Sequence, residues 1–433
     1  MPIPLTLDWL ESDLRHVWHP YTQMATAPPP LPVERAEGVY LYLRDGRRIL
    51  DGISSWWVNI HGHNHPRLNR ALAEQASRLA QVIFAGFTHE PAARLAEALA
   101  RRAPGRLPRV FYSDDGSTAV EVALKMAYQL WRNRGEKERT LFVAFDDAFH
   151  GDTFGAMAAG GVGVFHSDFG GLLCEVRRAR TPVSGRRASA SPSLAEILEK
   201  EGDRVAAVIL EPILQGAGGM LLHDGAFLRQ VREETRRRGI PLIADEILTG
   251  FGRTGRLFAC EHGPIEPDLL CVSKALTGGY LPLSATLASE EIYTAFLSED
   301  RSRTFFHGHS YTGNALACAV ALESLALFDD EDRLGRVARL ERLFAERLER
   351  LRSNPRVGEV RGLGGLAVVE LRPESSGGYL DDLGPRLAAA FLDRGVLLRP
   401  LGNVIYVLPP YVISDEEAHG VFDVIEEVVN SMP

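Results

Sequence analysis

Short, uninterrupted apolar runs set the tightest limit on how this 433-residue chain can fold. Leu141–Phe145, Val205–Leu210, Ile240–Ala244 and Leu269–Val272 carry no charged residue on either face. A strand that is apolar on both faces must be covered on both, and the helical patterns between the runs supply the cover. Across residues 66–330 this alternation predicts an α/β fold with a mostly parallel sheet. Two amphipathic helices over 66–103, with Leu95 and Leu99 inward on the second, lead into it.

In such sheets ligands bind beyond the carboxyl ends of the strands. Four chemically useful groups fall at such ends: Gly116-Ser117 after Arg109–Tyr112, Phe149-His150 after Leu141–Phe145, Asp245, and Lys274 after Leu269–Val272. Of 48 basic residues only Lys125, Lys137, Lys200 and Lys274 are lysines. A chain that otherwise uses arginine, yet ends an apolar strand in lysine, points to a need for an amine. Arginine cannot lose its proton in a protein and cannot condense with a carbonyl; lysine can. A lysine that snorkels from a strand end is the structural alternative. Ser113-Asp-Asp-Gly-Ser-Thr118 runs into a strong helix, Ala119–Trp131. That helix start, with its free N–H groups, suits an anion; a serine N-cap without a ligand is the other reading. Neither a Walker loop nor G-x-G-x-x-G occurs; Gly160-Gly-Val-Gly163 has the wrong spacing.

Residues 1–35 read as irregular and proline-rich. A hairpin follows, Gly38–Leu43 with Arg48–Asp51 around Asp45-Gly46. Trp56-Trp57 reads as core, or as a flat wall beside a ligand. His61, His63 and His65 alternate but lack the spacing of a metal finger. Residues 181–193 read as a surface loop and Gly250–Gly255 as a flexible one. Beyond residue 330 the pattern changes. Leu334, Val337, Leu340, Phe344, Leu348 and Leu351 stripe a long helix. Strands follow at Gly358–Val360, Leu366–Leu371, Val396–Arg399 and Val404–Leu408, and a helix capped by Ser414 and Glu417 ends the chain. This predicts a smaller α+β unit. The expected division is 1–65, 66–330 and 331–433. Arg399 stands at a strand end, where its fork of donors could hold a carboxylate.

The net charge of −9 argues against nucleic acid or an anionic membrane as partner. Asp8, Glu11 and Asp13 do not suit a secretory signal, and no apolar run approaches a membrane span. Four scattered cysteines without C-x-x-C fit a reduced, cytoplasmic protein.

An amine, a carboxylate, an anion cradle and an aromatic cover are what pyridoxal phosphate requires. The chain resembles the class III aminotransferases of fold type I over nearly its whole length. The resemblance rests on Trp18-His-Pro-Tyr21, Asp51–Trp57, His61–Pro66, Phe149–Met157, Ala244–Ile247, Gly250–Gly255, Ser273–Gly279, Gly313–Cys318 and Leu398-Arg-Pro400. It implies a seven-stranded, mostly parallel sheet in a large domain, with a smaller α+β domain. Within the class the chain is similar to the biotin-pathway branch. Members of that branch aminate 8-amino-7-oxononanoate with S-adenosylmethionine, or in some cases lysine, as donor.

The resemblance implies that Lys274 holds the cofactor's aldehyde, Asp245 pairs with its ring nitrogen, and Gly116 and Ser117 bind its phosphate. Phe149 would cover the ring. His309 and Ser310 would reach the phosphate across a homodimer. Tyr21, Trp56 and Gly308 would line the substrate pocket, with Arg399 on the substrate carboxylate. Phe149 replaces a tyrosine found in many relatives, and His309-Ser310 replaces Pro-Thr, which leaves the donor open. The rival readings are an ω-amino acid:pyruvate aminotransferase of the same class and a cofactor-binding protein without turnover.

Overall fold

The computed structural model describes residues 8–183, 189–372, 380 and 382–432. The apolar runs form the sheet that their pattern demands. In chain order the strands are β1 (Val33–Glu37), β2 (Tyr40–Leu43), β3 (Arg48–Asp51), β4 (Arg109–Ser113), β5 (Leu141–Phe145), β6 (Val176–Ala179) and β7 (Val205–Leu210). The short β8 (Leu214–Gln215) and β9 (Leu221–Leu222) come next. They precede β10 (Leu242–Asp245), β11 (Leu269–Val272), β12 (Ser284–Ala288), β13 (Val357–Leu363), β14 (Leu366–Leu371), β15 (Val396–Leu397) and β16 (Val404–Val407).

Seven strands share one sheet in the order β4-β12-β11-β10-β7-β5-β6. Only β12 runs against its neighbours. Every residue of β5, β7, β10, β11 and β12 is buried. The helix Gly116–Arg134 buries Ala119, Val120, Ala123, Ala127 and Trp131 against one face. The helices Glu90–Arg102 and Ala315–Asp330 contribute Leu95, Leu99, Ala317 and Ala321 to the core on the other. The carboxyl ends of β4, β5, β7, β10 and β11 therefore lie along one edge.

A second core forms between the three-stranded sheet β13-β14-β16 and the helices Arg333–Arg352 and Asp415–Ser431. Leu340, Phe344, Leu348 and Leu351 of the predicted stripe lie in it, and Ser414 caps the last helix through a box with Glu417. The expected hairpin is β2 with β3, extended by β1 on one side and by β15, parallel to β3, on the other. No helix among the described residues is long and apolar enough to cross a membrane.

Three local expectations fail. The N-terminal segment is not wholly irregular, because Trp9–His16 is a helix capped by the side chain of Asp8; the prolines that follow it hide the pattern. The anion-cradle helix begins earlier than expected, at Gly116, and its cap is Asp115, boxed with Thr118; Ser117 stands in the first turn. Gly250–Gly255 is not a flexible loop. Arg253 is fully buried, donates to the carbonyls of Pro409 (2.9 Å) and Trp57 (3.2 Å), and stacks 5.0 Å from the Tyr411 ring. Gly252, at φ +98°, packs so that a Cβ would meet the Phe328 ring at 2.8 Å, so close packing and not flexibility is what the glycine serves there. Of the loop expected over 181–193, residues 184–188 lie outside the described residues.

Candidate active site

Beyond the aligned strand ends lies a cavity of about 420 Å³. Gly116, Ser117, Phe149, His150, Asp152, Thr153, Glu211, Asp245 and Lys274 line it, with Trp57 as an apolar wall. The four strand-end groups singled out in the sequence thus share one space.

Lys274 leaves β11 in the left-handed region, φ +44°, and its Nζ stands 4.4 Å from the centre of the Trp57 ring. Burial pulls the amine down from its ordinary value to about 8. Asp245 and Glu211 oppose that shift, and Arg253 adds to it. A useful fraction of neutral amine is therefore present near pH 7.

Asp245, at the end of β10, is 4% exposed. One oxygen accepts from His150 Nδ1 at 2.7 Å and the other from the amide of Ile247 at 3.1 Å. Glu211, at the end of β7, accepts from the amides of Phe149 (2.9 Å) and Gly216 (3.0 Å). Burial, reinforced by the nearby Asp245, pushes its carboxyl up to about 7, against the pull of His150.

Ser117 Oγ lies 2.8 Å from Thr153 Oγ1 and accepts from the Thr153 amide at 2.9 Å. Gly151, at φ +129°, packs so closely that a Cβ would meet Ser117 Oγ at 2.3 Å. The cradle between the helix start and residues 151–153 is thus open to a ligand's oxygens but closed to a side chain.

The aromatic residues split as the two readings of the tryptophan pair suggested. Trp57 is buried, with Nε1 donating to the Tyr406 hydroxyl at 3.1 Å. Trp56 is 41% exposed, 5.7 Å from the Tyr21 ring and 4.7 Å from the Arg399 guanidinium. Trp56 and Arg399 share a second cavity of about 480 Å³ with His19, Thr22 and Met24. The Tyr21 hydroxyl donates to Asp152 at 2.5 Å, and Phe165 meets both Tyr21 and Phe149 edge-on.

Gly308, His309 and Ser310 do not line the cavity of their own chain. Gly308 is exposed, with Thr312 Oγ1 3.8 Å from where a Cβ would stand, and His309 Nδ1 lies 3.9 Å from Asp114. The alternating histidines serve separate partners: His61 lies 3.0 Å from Ser324 Oγ, His63 2.9 Å from Asp51, and His65 3.5 Å from Glu331. Sequence reasoning did not assign a role to His150 or Glu211; their only local signal is position at a strand end.

A parallel sheet whose strand ends bring a lysine amine, a buried carboxylate and an anion cradle into one cavity defines an enzyme of carbonyl–amine chemistry. A model of the family described as Aminotransferase class-III matches residues 21–429, and the chain belongs to that family. The adenosylmethionine-8-amino-7-oxononanoate aminotransferase of Synechococcus elongatus is 48% identical over 96% of this chain and 99% of its own. The crystal structure of the enzyme of the same name from Methanocaldococcus jannaschii superposes with a TM-score of 0.90. It is 37% identical and covers 97% of this chain and 98% of its own. An amine transaminase from an uncultivated Pseudomonas species, solved with PLP bound, gives a TM-score of 0.86 at 34% identity, covering 95% and 97% of the two chains.

Pyridoxal phosphate is the cofactor of this family, and the residues present fit it. The amine, the carboxylate for a ring nitrogen, the phosphate cradle and an aromatic cover, Phe149, all face the same 420 Å³ space.

Proposed function

We propose that the chain transfers an amino group to 8-amino-7-oxononanoate, giving 7,8-diaminononanoate in biotin biosynthesis. The observation that carries this reading is the 48% identity, over nearly the full length of both chains, to the Synechococcus elongatus enzyme of that name. The cluster of Arg399, Trp56 and Tyr21 supports it: a cation for a carboxylate set against flat apolar rings for an aliphatic chain.

When bound, pyridoxal phosphate supplies the aldehyde that carries the amino group and the ring that accepts electrons. Lys274, with its lowered proton affinity, takes a proton from the substrate carbon and returns it. Asp245 would keep the ring nitrogen protonated, and His150 fixes one oxygen of that carboxylate. The amides of Gly116 and Ser117 would hold the phosphate at the positive end of a helix. Phe149 would cover one ring face. Arg399 takes the acid end of the acceptor while Trp56 and Tyr21 exclude water from its chain.

S-adenosylmethionine is the proposed donor, with lysine as the alternative. Each substrate uses the same cavity in turn, as a ping-pong cycle requires. The reading includes a homodimer in which Gly308, His309 and Ser310 of the partner subunit complete the site. The exposure of Phe306 (75%) and Tyr311 (64%) on either side of that segment supports it. It also includes a cytoplasmic setting, in keeping with the unpaired Cys174, Cys260, Cys271 and Cys318. The division 1–65, 66–330 and 331–433 is kept, with β3 joined to β15 as support for grouping the first segment with the last.

The test is to load the protein with pyridoxamine phosphate and add 8-amino-7-oxononanoate. Return of the aldehyde absorbance is expected. Return with pyruvate but not with the oxo acid would favour the ω-amino acid reading, which the likeness to the amine transaminase keeps in view.

A further inference from the structure

We infer that Asp51 is a positioning residue for the substrate wall: its carboxylate holds a strained turn that sets Trp56 against Arg399 and Trp57 against Lys274. The inference rests on the proposed substrate pocket for its consequence, and on the following geometry for its substance.

Asp51 ends β3 and is fully buried. Oδ1 accepts from the amides of Ile53 (3.2 Å) and Ser55 (2.8 Å). Oδ2 accepts from Ser55 Oγ (2.9 Å) and lies 2.9 Å from His63 Nε2. The carboxylate can only accept, so that ring nitrogen carries a proton and donates. Four donors converge on one carboxylate, and three of them belong to the turn or its hydroxyl.

The turn needs such a hold. Ser54 (φ +51°), Ser55 (φ +59°, ψ −79°) and Trp57 (φ +68°) all have positive φ without being glycine. Ser55 lies near the strained γ-turn of positive φ. Such conformations persist only where the surroundings over-determine them, and they collect at functional sites. Here the surroundings are the Asp51 carboxylate on one side and Ser54 Oγ, donating to the Leu408 carbonyl at 2.9 Å, on the other.

The result is that two consecutive tryptophans serve two places. Trp56 faces the open cavity with Arg399 at 4.7 Å, and Trp57 lies under the Lys274 amine at 4.4 Å. Asp51 touches neither of the cavity's reacting groups. It acts through the backbone that carries the rings.

The experiment compares Asp51→Asn, Asp51→Asn with Ser55→Gly, His63→Ala and His63→Gln in the full, cofactor-loaded protein. Asn keeps the shape but replaces an acceptor by an NH2, so Ser55 Oγ must turn from donor to acceptor and His63 must give up its Nε2 proton. Glycine at 55 removes the steric penalty and the hydroxyl that loses its acceptor in Asp51→Asn. Three quantities are read: KM and kcat with an oxo acid that the unmodified protein accepts, the affinity for pyridoxal phosphate, and acrylamide quenching assigned to Trp56 by difference from matched Trp56→Phe proteins.

Asp51→Asn should raise KM about tenfold or more and change Trp56 quenching, with a clearly smaller loss of cofactor affinity through Trp57; Ser55→Gly should reverse most of these changes. His63→Ala should give a smaller shift of the same kind, and His63→Gln should restore it. If Asp51→Asn does not fold, the His63 pair gives the same reading. Equal losses in cofactor affinity and KM, unaltered Trp56 quenching, or no rescue by glycine or glutamine would overturn the inference. Failure of the unmodified protein to use 8-amino-7-oxononanoate would instead count against the proposed reaction. The quenching and rescue readings stand apart from that outcome.

Discussion

His150 Nδ1 lies 2.7 Å from the Asp245 carboxylate, with both side chains buried. The imidazole fixes one carboxylate oxygen, and the Ile247 amide fixes the other. The aspartate therefore has a single orientation, and its remaining lone pairs face the cavity that Lys274 shares. Glu211 is a second carboxyl on the same cavity, pushed up to about 7 by burial and by Asp245. Burial is the larger cause, since it disfavours the ionised carboxyl, and His150 opposes it.

Lys274→Ala should abolish the near-ultraviolet to visible absorbance of the lysine-linked cofactor and reduce turnover by about a thousandfold or more. Borohydride treatment followed by peptide mass analysis checks the linkage. Turnover close to that of the unmodified protein, or an adduct at Lys125, Lys137 or Lys200, would refute the assignment.

The Lys274 amine should titrate near 8 in the cofactor-free protein, so its rate of capturing pyridoxal phosphate should rise with pH through that value and level off above it. The folded amine holds its proton less well than the ordinary 10.5, so the unfolded chain binds more protons between about 8 and 10.5. This group then favours folding increasingly as pH rises through that window. Glu211→Gln removes a negative charge that raises the amine's proton affinity, and the capture midpoint should move down. An upward move would contradict the electrostatics described above.

Arg399→Ala should raise KM for the oxo acid by roughly ten- to a hundredfold, the loss expected for one charge-assisted contact. The effect on the amino donor should be several times smaller. Steady-state kinetics with each substrate varied in turn would decide it, and equal effects on both would remove the carboxylate role.

Phe149→Tyr restores a hydroxyl beside the ring cover. It should alter the ratio of kcat/KM for S-adenosylmethionine to that for lysine while leaving cofactor absorbance in place. An unchanged ratio would leave Phe149 as a ring cover alone.

The strands were legible because burial on both faces leaves a local signature: Leu269–Val272 and Leu141–Phe145 match the observed strands residue for residue. The convergence of Ser117, Asp245 and Lys274 followed from sheet geometry rather than from any one motif. What was not legible depends on partners distant in sequence. Arg253 reads as a loop arginine, yet its Nη2 and Nη1 donate to the carbonyls of Trp57 and Pro409, 196 and 156 residues away. The spacing of the alternating histidines argues against a metal set, but it does not reveal that Asp51, Ser324 and Glu331 are their partners. Asp152 gave no signal either, since its partner Tyr21 lies 131 residues earlier.

The parallel pairing of β3 with β15 aligns Leu50 with Val396 and Asp51 with Leu397. Trp56 follows the first of these strands and Arg399 the second. The proposed grip on an acid would therefore be shared between the early and late parts of the polypeptide. During synthesis on a ribosome Lys274 and Asp245 would emerge well before that grip could form. A nascent chain stopped short of residue 396 would carry both groups but lack Tyr406, Leu408 and Pro409, which hold Trp57, Ser54 and Arg253 in place.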